Sequence, residues 1–302
     1  MGTQFRVTAA GVSAKRLDLA VHAAFSEVAR IEALMSEWRP DSEISAVNQA
    51  AGQQPVAVSP ETFTVVKAAL DLAEMSEGAF DPTWAALKGL WDFQADPPQV
   101  PAPEIIKARL KKVGWRKVKL DAEAKTIFLT EPGMALGLGG IAKGYGIDQA
   151  AKVLKSHGIE RFIVDGGGDL YVSGVKPSGA PWKLGVQGPR SAGKLIATLA
   201  VTDAAMVTSG DYERFFVIQG KRYHHIIDLR TGYPAALSRA VTVRAKEAIF
   251  ADALSTAIFV LGPHDGLALA ERLPGVEAAV VGADGKIVAT KALAPAFGLS
   301  PR

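Results

Sequence analysis

The 302-residue chain contains no cysteine. Disulfide bonds, thiolate metal sites and cysteine nucleophiles are therefore excluded, and any metal must be bound through oxygen or nitrogen atoms. Long apolar runs are also missing, because no stretch approaches the roughly eighteen apolar residues that a transmembrane helix needs. The first residues, Met1–Ala10, lack the charged and then apolar layout of a signal peptide. We therefore expect the chain as given to be soluble.

Runs of basic residues are absent as well. The formal net charge is +3, and the lysines and arginines are spread along the chain without interleaved aromatic residues. Nucleic acid is therefore not expected as a partner. With 48% hydrophobic and 22% charged residues, the composition is that of a globular protein with a sizeable core, in one large domain or two small ones.

Helices and strands alternate along the chain without a strict βαβ repeat. Apolar spacing predicts a helix over residues 15–37, and Ser59 as N-cap, Pro60 in the first turn and Gly78 beyond the end frame a second helix. Two further helices are expected at 143–156 and 250–261. Six segments have the composition of strands: 117–120, 126–129, 161–165, 195–201, 215–219 and 240–244.

This pattern favours the α+β class, with a mixed sheet and packed helices, over a doubly wound sheet. The proline-rich segment 95–103 is expected to be a surface loop and not a domain boundary, so residues 1–302 are assigned to a single domain. A closing hairpin is predicted to turn at Gly282–Gly285.

Two glycine-rich segments are candidates for ligand binding. Gly137–Gly144 leads into the predicted helix at 143, where free N–H groups and the helix dipole would suit a pyrophosphate. For an isolated glycine cluster a tight turn is the favoured alternative, and the spacing matches neither the P-loop nor the dinucleotide fingerprint. In Asp165–Asp169 three glycines separate two acids, which would suit a nearby ligand or a sharp bend equally well.

A third segment concentrates polar side chains beside strand-forming residues. Thr208–Phe215, His224–Asp228 and Arg230–Pro234 bring hydroxyls, acids, arginines and two histidines onto one predicted hairpin. That density exceeds what a solvated surface requires, so a functional role is favoured. Either histidine has the chemistry of a general base or of a hydrogen-bond donor to phosphate.

Asp252 and Thr256 lie four residues apart in an otherwise apolar predicted helix. This spacing places both oxygens on one helical face, where they suit a hard cation such as Mg²⁺. The alternative, which the pair alone slightly favours, is an acidic residue that stabilises the helix dipole.

Taken together, the chain resembles the FAD:protein FMN transferase family, formerly called thiamine-biosynthesis lipoproteins. The resemblance covers nearly the whole sequence and is carried by ordered segments: Met1–Phe5, Met35–Ser45, Gly78–Pro82 with Leu90 and Trp91, Leu138–Tyr145, Gly167–Asp169, Thr208–Arg214, His225–Asp228 and Ala251–Thr256. It implies an enzyme that binds FAD in a cleft, uses Mg²⁺ at the pyrophosphate and transfers FMN to a Thr or Ser hydroxyl of an acceptor protein, with release of AMP.

The resemblance also implies roles for individual residues. His225 is the expected catalytic residue, a base for the acceptor hydroxyl. The metal ligands are expected to be Asp252, Thr256 and the backbone oxygen of Gly140. The expected FAD contacts are Met1, Trp38 (where a tyrosine is common), Ala79, Phe80, Asp81, Lys143 and Ile226, together with position 137, where Gly137 replaces the usual aspartate.

That departure removes one side-chain contact to FAD and bears on affinity more than on the reaction. Two alternatives to the transferase remain: an FAD pyrophosphatase that yields FMN and AMP, and a flavin-binding protein without turnover, against which the Asp252 and Thr256 pair argues. Family members usually work outside the cytoplasmic membrane. We therefore expect a periplasmic protein, with membrane association only through a removed N-terminal segment.

Overall fold

The computed structural model describes residues 2–300. Its α-helices are α1 (Ala14–Met35), α2 (Glu43–Gln49), α3 (Pro60–Met75), α4 (Pro103–Leu110), α5 (Ala142–Ser156) and α6 (Ala248–Arg272). Its strands are β1 (Phe5–Ala9), β2 (Val56–Ala57), β3 (Val118–Asp121), β4 (Thr126–Leu129), β5 (Phe162–Gly166), β6 (Asp169–Ser173), β7 (Trp182–Gly188), β8 (Ser191–Val201), β9 (Ala204–Gly210), β10 (Phe215–Ile218), β11 (Lys221–His224), β12 (Ile227–Asp228), β13 (Tyr233–Pro234), β14 (Ser238–Ala245), β15 (Glu277–Gly282) and β16 (Ile287–Ala289). Short 3-10 helices lie at Pro82–Leu87, Trp115–Lys117 and Ala294–Phe297.

The chain divides into two compact units. The first takes residues up to 32, 141–210 and those from 237 onward, and the second takes 33–140 and 211–236. Together these elements confirm the α+β class. Assignment of residues 1–302 to one domain stays a prediction.

The first unit is built on a seven-stranded sheet in the order β1-β5-β6-β9-β14-β15-β16. Where the sequence predicts a mixed sheet, every pairing in the described part of this sheet is antiparallel. Strands β7 and β8 form a separate ribbon whose inner residues, including Trp182 and Leu199, belong to an apolar cluster with Val172 and Met206 of the sheet.

Helix α6 packs on this sheet and on α5. By length and hydropathy it is the one helix among residues 2–300 that meets the criteria for a membrane span, yet 61% of its apolar window is buried inside the protein, as expected of a core helix. The sequence predicts that it ends at residue 261, and helical geometry is indeed interrupted directly after that residue, at Gly262 (φ 81°). A second helical segment then follows and ends at Arg272.

The N-terminus of α6 is closed by a side chain from α5. The two carboxylate oxygens of Asp148 accept the N–H groups of Ala248 and Ile249 at 2.8 and 2.9 Å. These N–H groups have no partner within their own helix, so the buried carboxylate satisfies them. The contact fixes α5 against the start of α6.

The second unit combines α2, α3 and α4 with small sheets, β2-β4-β3, β10-β11 and β12-β13. An aromatic cluster around Trp91 stabilises the β10-β11 hairpin, with the Phe216 and Tyr223 rings stacked at 5.3 Å and the Trp91 indole N–H bound to the Gly232 carbonyl. Helix α3 begins as predicted, with Ser59 as N-cap accepting the Thr62 N–H.

The predicted polar hairpin needs a correction. Thr208 and Ser209 belong to β9 in the sheet of the first unit, whereas the hairpin itself runs from Phe215 to His224 in the second. Residues 210 and 211 mark the passage between units, which a local pattern of strand-forming residues does not reveal. The closing β15-β16 hairpin turns at the predicted glycines.

Candidate functional site

In the first unit, Asp252 and Thr256 lie one turn apart on α6, as predicted. Asp252 is only 4% exposed, and its Oδ2 accepts the Gly144 N–H at 2.9 Å. Asp252 therefore serves the first turn of α5, and not the dipole of its own helix, whose N-terminus is held by Asp148. Thr256 is half-buried.

A buried cluster of charges surrounds Asp252. The Lys143 ammonium forms an ion pair with Asp169, which is almost fully buried at the start of β6. Burial, with a smaller contribution from the nearby Asp252 carboxylate, raises the pKa of Asp169 to about 7 against the opposing effects of the Lys143 charge and the Thr208 N–H. Burial also raises the pKa of Asp252, against the Lys143 charge and the Gly144 N–H.

Two carboxylates and one ammonium leave this cluster with an excess of negative charge when both acids are ionised. Buried charge of one sign favours the binding of a cation that compensates it. The donors at Asp252 and Thr256 are both oxygen atoms, which Mg²⁺ prefers. Since residues 2–300 hold no group of three or more histidines and acids placed to bind a metal, a cation here would also require hydroxyl or backbone oxygens. The residues fit Mg²⁺ on these grounds.

The glycine-rich segments have structural reasons for their composition. A Cβ on Gly144 would lie 2.2 Å from the Ala248 carbonyl oxygen, so only glycine allows α5 and α6 to approach. In the second segment, Gly167 and Gly168 both have positive φ and form the two-residue turn between β5 and β6. Sequence analysis left two interpretations of this segment, a nearby ligand or a sharp bend, and the structure shows the sharp bend. The last residue of the segment is Asp169, the partner of Lys143.

The predicted Ala79–Asp81 contacts lie in the second unit and are buried. Asp81 caps the following 3-10 helix: its Oδ1 accepts the Thr83 N–H at 2.8 Å, and its Oδ2 accepts the Trp115 N–H at 3.0 Å. Burial raises the pKa of Asp81 despite these hydrogen bonds. Asp81 thus has a structural role, and its contact with FAD stays a prediction.

Gly137 is explained by Trp84. The Trp84 indole N–H donates to the Gly137 carbonyl at 2.9 Å. A Cβ at position 137 would lie 2.7 Å from the same ring, closer than a real Cβ contact allows. No side chain, aspartate included, fits at 137 while the indole is there.

The two adjacent histidines differ completely in environment. His224 is buried: its Nε2 lies 2.9 Å from the Ala235 carbonyl oxygen, and its Nδ1 accepts the Ile226 N–H at 3.3 Å. These contacts require the tautomer with the proton on Nε2 and make His224 a structural residue. His225 is exposed directly after β11, while Ile226 is buried. Of the two histidines, His225 is therefore the accessible one.

The remaining residues that were predicted to contact FAD or the metal lie at separate places in the chain. Trp38 is exposed and Gly140 half-buried, both in the second unit, and Met1 lies outside the described residues. Sequence reasoning missed Asp169 as the partner of Lys143 and Trp84 as the neighbour of Gly137. The acid at the end of the glycine turn was a visible signal for Asp169, whereas nothing local marks Trp84.

Comparison with known proteins supports one family. The model of the ApbE family matches residues 1–280. The chain is similar to the FAD:protein FMN transferase of Treponema pallidum, with 37% identity over 96% of this chain and 84% of that protein. It is also similar to the transferase of Vibrio cholerae, with 40% identity over 78% and 72%.

Solved structures agree. The ApbE protein of Thermotoga maritima superposes with a TM-score of 0.87 at 35% identity, covering 100% of this chain and 96% of that one. The flavin transferase ApbE of Vibrio cholerae gives 0.82 at 34% identity, covering 98% and 96%. These matches confirm the resemblance and the fold predicted from the motifs. The chain belongs to the ApbE family.

Proposed function

We propose that this protein transfers FMN from FAD to a Thr or Ser hydroxyl of an acceptor protein and releases AMP. Family membership supports the reaction. The observation that carries the proposal within this chain is the buried acidic cluster of Asp252, Asp169 and Lys143, because a storage protein has no need of a cation site at a pyrophosphate.

The proposed ligands of Mg²⁺ in the first unit are Asp252 and Thr256. When bound, the metal would neutralise charge that develops on the pyrophosphate oxygens. Lys143 is proposed to contact FAD, with Asp169 limiting the positions that its ammonium can take. The backbone oxygen of Gly140 stays a prediction as a further ligand.

His225 is proposed as the general base. The acceptor hydroxyl oxygen forms a bond to the phosphorus of the FMN half, the bond between that phosphorus and the bridging oxygen breaks, and AMP leaves with that oxygen. The hydroxyl proton passes to His225, directly or through water. Its exposed position beside the buried His224 supports this role.

The test is incubation with FAD, Mg²⁺ and an acceptor domain that carries the threonine, followed by mass spectrometry of the acceptor and measurement of AMP. We expect a mass gain equal to FMN that is lost with EDTA and with Asp252→Ala. Asp265→Ala is the matched control, because Asp265 is an exposed aspartate on the same helix.

Other outcomes would redirect the proposal. AMP without a mass gain would indicate a pyrophosphatase, and FAD binding with neither product would indicate a flavin-binding protein. For His225→Ala we expect a loss of transfer of about 10²-fold or more, against no loss for His22→Ala, an exposed histidine on α1. Full transfer by His225→Ala would refute the base while leaving the metal site standing.

The proposed place of work is the periplasm, and the support is the resemblance to exported and lipoprotein members of the family. Cell fractionation with a tagged version of the genomic reading frame tests it. A protein confined to the cytoplasmic fraction would refute it.

A further inference from the structure

The spread of basic residues along the chain has one exception, which lies in and after α4. Residues 107–119, here called the basic segment, hold seven of the 34 lysines and arginines and none of the 31 acidic residues. The rest of the chain therefore carries 27 basic and 31 acidic residues, which is a formal net charge of −4. The positive balance of the protein is thus concentrated in one short segment of the second unit.

Most of this charge is exposed and is not paired with neighbouring acids. The side chains of Lys107, Lys111 and Lys119 are exposed. Among the residues that the structure describes, Lys117 is the one member of the basic segment in an ion pair, with Glu131 at 3.1 Å. Like charges that lie together repel each other, so their accumulation does not stabilise the fold. It favours the approach of an anionic partner.

A groove with an apolar lining lies beside these charges, and we call it the α4 groove. Its volume is about 490 Å³, and it is lined by Glu104, Ile105, Ala108, Arg109, Lys112 and Gly133. Ile105 is 52% exposed. The methylene chain of Lys112 passes so close to Gly133 that a Cβ there would contact it at 3.7 Å. The stem of this lysine therefore adds to the apolar lining that Ile105 and Ala108 provide.

The groove and the basic segment together fit a polypeptide that presents acidic residues beside an apolar side chain. The apolar side chain would fill the groove, and carboxylates would pair with the surrounding lysines and arginines. This combination of an apolar contact with a charged rim is typical of protein interfaces.

Nucleic acid and membrane fit this surface less well. Bases stack on exposed aromatic rings, but the one aromatic residue of the basic segment, Trp115, is half-buried, and the Arg116 guanidinium carbon lies 4.2 Å from its ring centroid. A membrane surface takes up apolar side chains that project from the protein. Here the apolar lining forms a groove in which Ile105 is the one large exposed side chain among the described lining residues.

Helix α4 is joined to the segment that carries His225. Ile106 belongs to the buried part of the aromatic cluster around Trp91. Tyr223 of β11 and Ile227 of β12 pack against the same cluster, and these two strands lie on either side of His225 in the chain. A protein anchored at α4 is therefore bound to the same packed cluster that supports the proposed base.

We propose that the α4 groove and the basic segment form a docking surface for the acceptor protein, which presents acidic residues and an apolar side chain to it. The inference rests on the proposed function in taking the acceptor as the partner. It gives this surface a role in binding the acceptor and none in binding FAD or in the reaction. The charges increase the rate of encounter, and the groove fixes the orientation of the bound acceptor.

The first experiment measures kcat and the KM for an acceptor domain at saturating FAD, together with FAD affinity by titration. The variant Lys107→Glu with Lys111→Glu reverses two exposed charges four positions apart at the end of α4. We expect its KM for the acceptor to rise about 10-fold or more at low salt, with kcat and FAD affinity nearly unchanged. In 1 M NaCl this difference should shrink, because the Debye length falls to about 3 Å.

The matched control is Lys183→Glu with Lys194→Glu, which changes the net charge by the same amount at exposed positions of β7 and β8. Its KM for the acceptor should equal that of the unmodified protein. A rise as large as that of the α4 variant would overturn the proposal, because net charge alone would then explain the effect.

Ile105→Ala tests the groove without a change of charge. We expect the KM for the acceptor to rise about 3- to 10-fold. Leu19→Ala, at a 60% exposed apolar position of α1, should leave this KM unchanged. Unchanged KM values in both Ile105→Ala and the α4 charge variant would overturn the docking surface and leave the transferase standing.

Cross-linking gives a readout that does not depend on flavin transfer. A carbodiimide joins lysine amines directly to carboxylates, so we expect cross-links between lysines of the basic segment and acidic residues of the acceptor domain, identified by mass spectrometry. Cross-links at these lysines in a protein that transfers no flavin would support the docking surface and refute the transferase. Cross-links spread evenly over the lysines of the whole chain would overturn the docking surface.

Vesicles of phosphatidylglycerol and phosphatidylcholine test the alternative partner. If the α4 charge variant loses binding to these vesicles while its KM for the acceptor stays unchanged, the surface serves a membrane and the proposal is overturned. A raised KM for the acceptor without vesicle binding by the unmodified protein would support the acceptor as the partner.

Discussion

Replacement of Asp148 by asparagine tests how burial and helix capping compete. Asp148 is buried, and its carboxylate accepts two N–H groups at the start of α6. The N–H groups and the helix dipole favour the ionised form. Burial outweighs them and raises the pKa of Asp148 from 3.8 to about 6, with the Glu247 charge acting in the same direction.

The sign of the effect follows from this shift. A raised pKa in the folded state means that the protonated acid stabilises the fold below pH 3.8, and this contribution is lost as the pH rises through about 6. The full difference is about 3 kcal/mol, since one pKa unit is worth about 1.4 kcal/mol. Between pH 4.5 and 7.5 about 2 kcal/mol of it is lost.

Urea unfolding of both proteins between pH 4.5 and 7.5 measures the effect. Asparagine cannot ionise, so the unfolding free energy of the unmodified protein minus that of Asp148→Asn should fall by about 2 kcal/mol over this range. The control substitution is Asp265→Asn, which makes the same chemical change at an exposed position. A difference that stays flat or rises with pH would refute the reasoning, because the N–H groups would then dominate.

Substitutions at three further positions test packing and hydrogen bonding by urea unfolding. Gly144→Ala places a methyl group against a backbone carbonyl of α6 and should cost about 1 to 3 kcal/mol; unchanged stability would mean that the helices separate freely. Asn48→Ala should cost about 1 to 3 kcal/mol, because the N–H and the carbonyl of Leu136 both lose their side-chain partner; unchanged stability would contradict this role of Asn48. Trp91→Phe loses the hydrogen bond to Gly232 and should cost about 1 to 3 kcal/mol, so stability equal to the unmodified protein would contradict its role in the aromatic cluster.

Elements with local signals were predictable from the sequence. Ser59 and Pro60 define the start of α3 through contacts within one turn, and the glycines of the β5-β6 turn have the conformations that such a turn requires. The predicted helix end at residue 261 coincides with the non-helical backbone of Gly262 (φ 81°). The sequence analysis missed the second helical segment, which follows this break and ends at Arg272.

Contacts between distant positions were not predictable in this way. Lys143 of α5 meets Asp169 of β6 because this helix packs on this strand, and Trp84 reaches Gly137 across 53 positions. The resemblance located Asp252, yet its contact with the Gly144 N–H, 108 positions away, appears only in the folded chain. Similarly, nothing in the adjacent pair His224 and His225 indicates which of the two is buried.

The close contact between Trp84 and Gly137 also restricts the order in which these two positions can be substituted during evolution. A side chain at 137 collides with the indole, and loss of the indole alone leaves the Gly137 carbonyl without this donor. A protein that carries only one of the two changes is poorly packed at this contact. Descendants of this chain should therefore keep the two residues together or exchange them together, and a graft of the tryptophan into a relative with a side chain at position 137 should fail without the glycine.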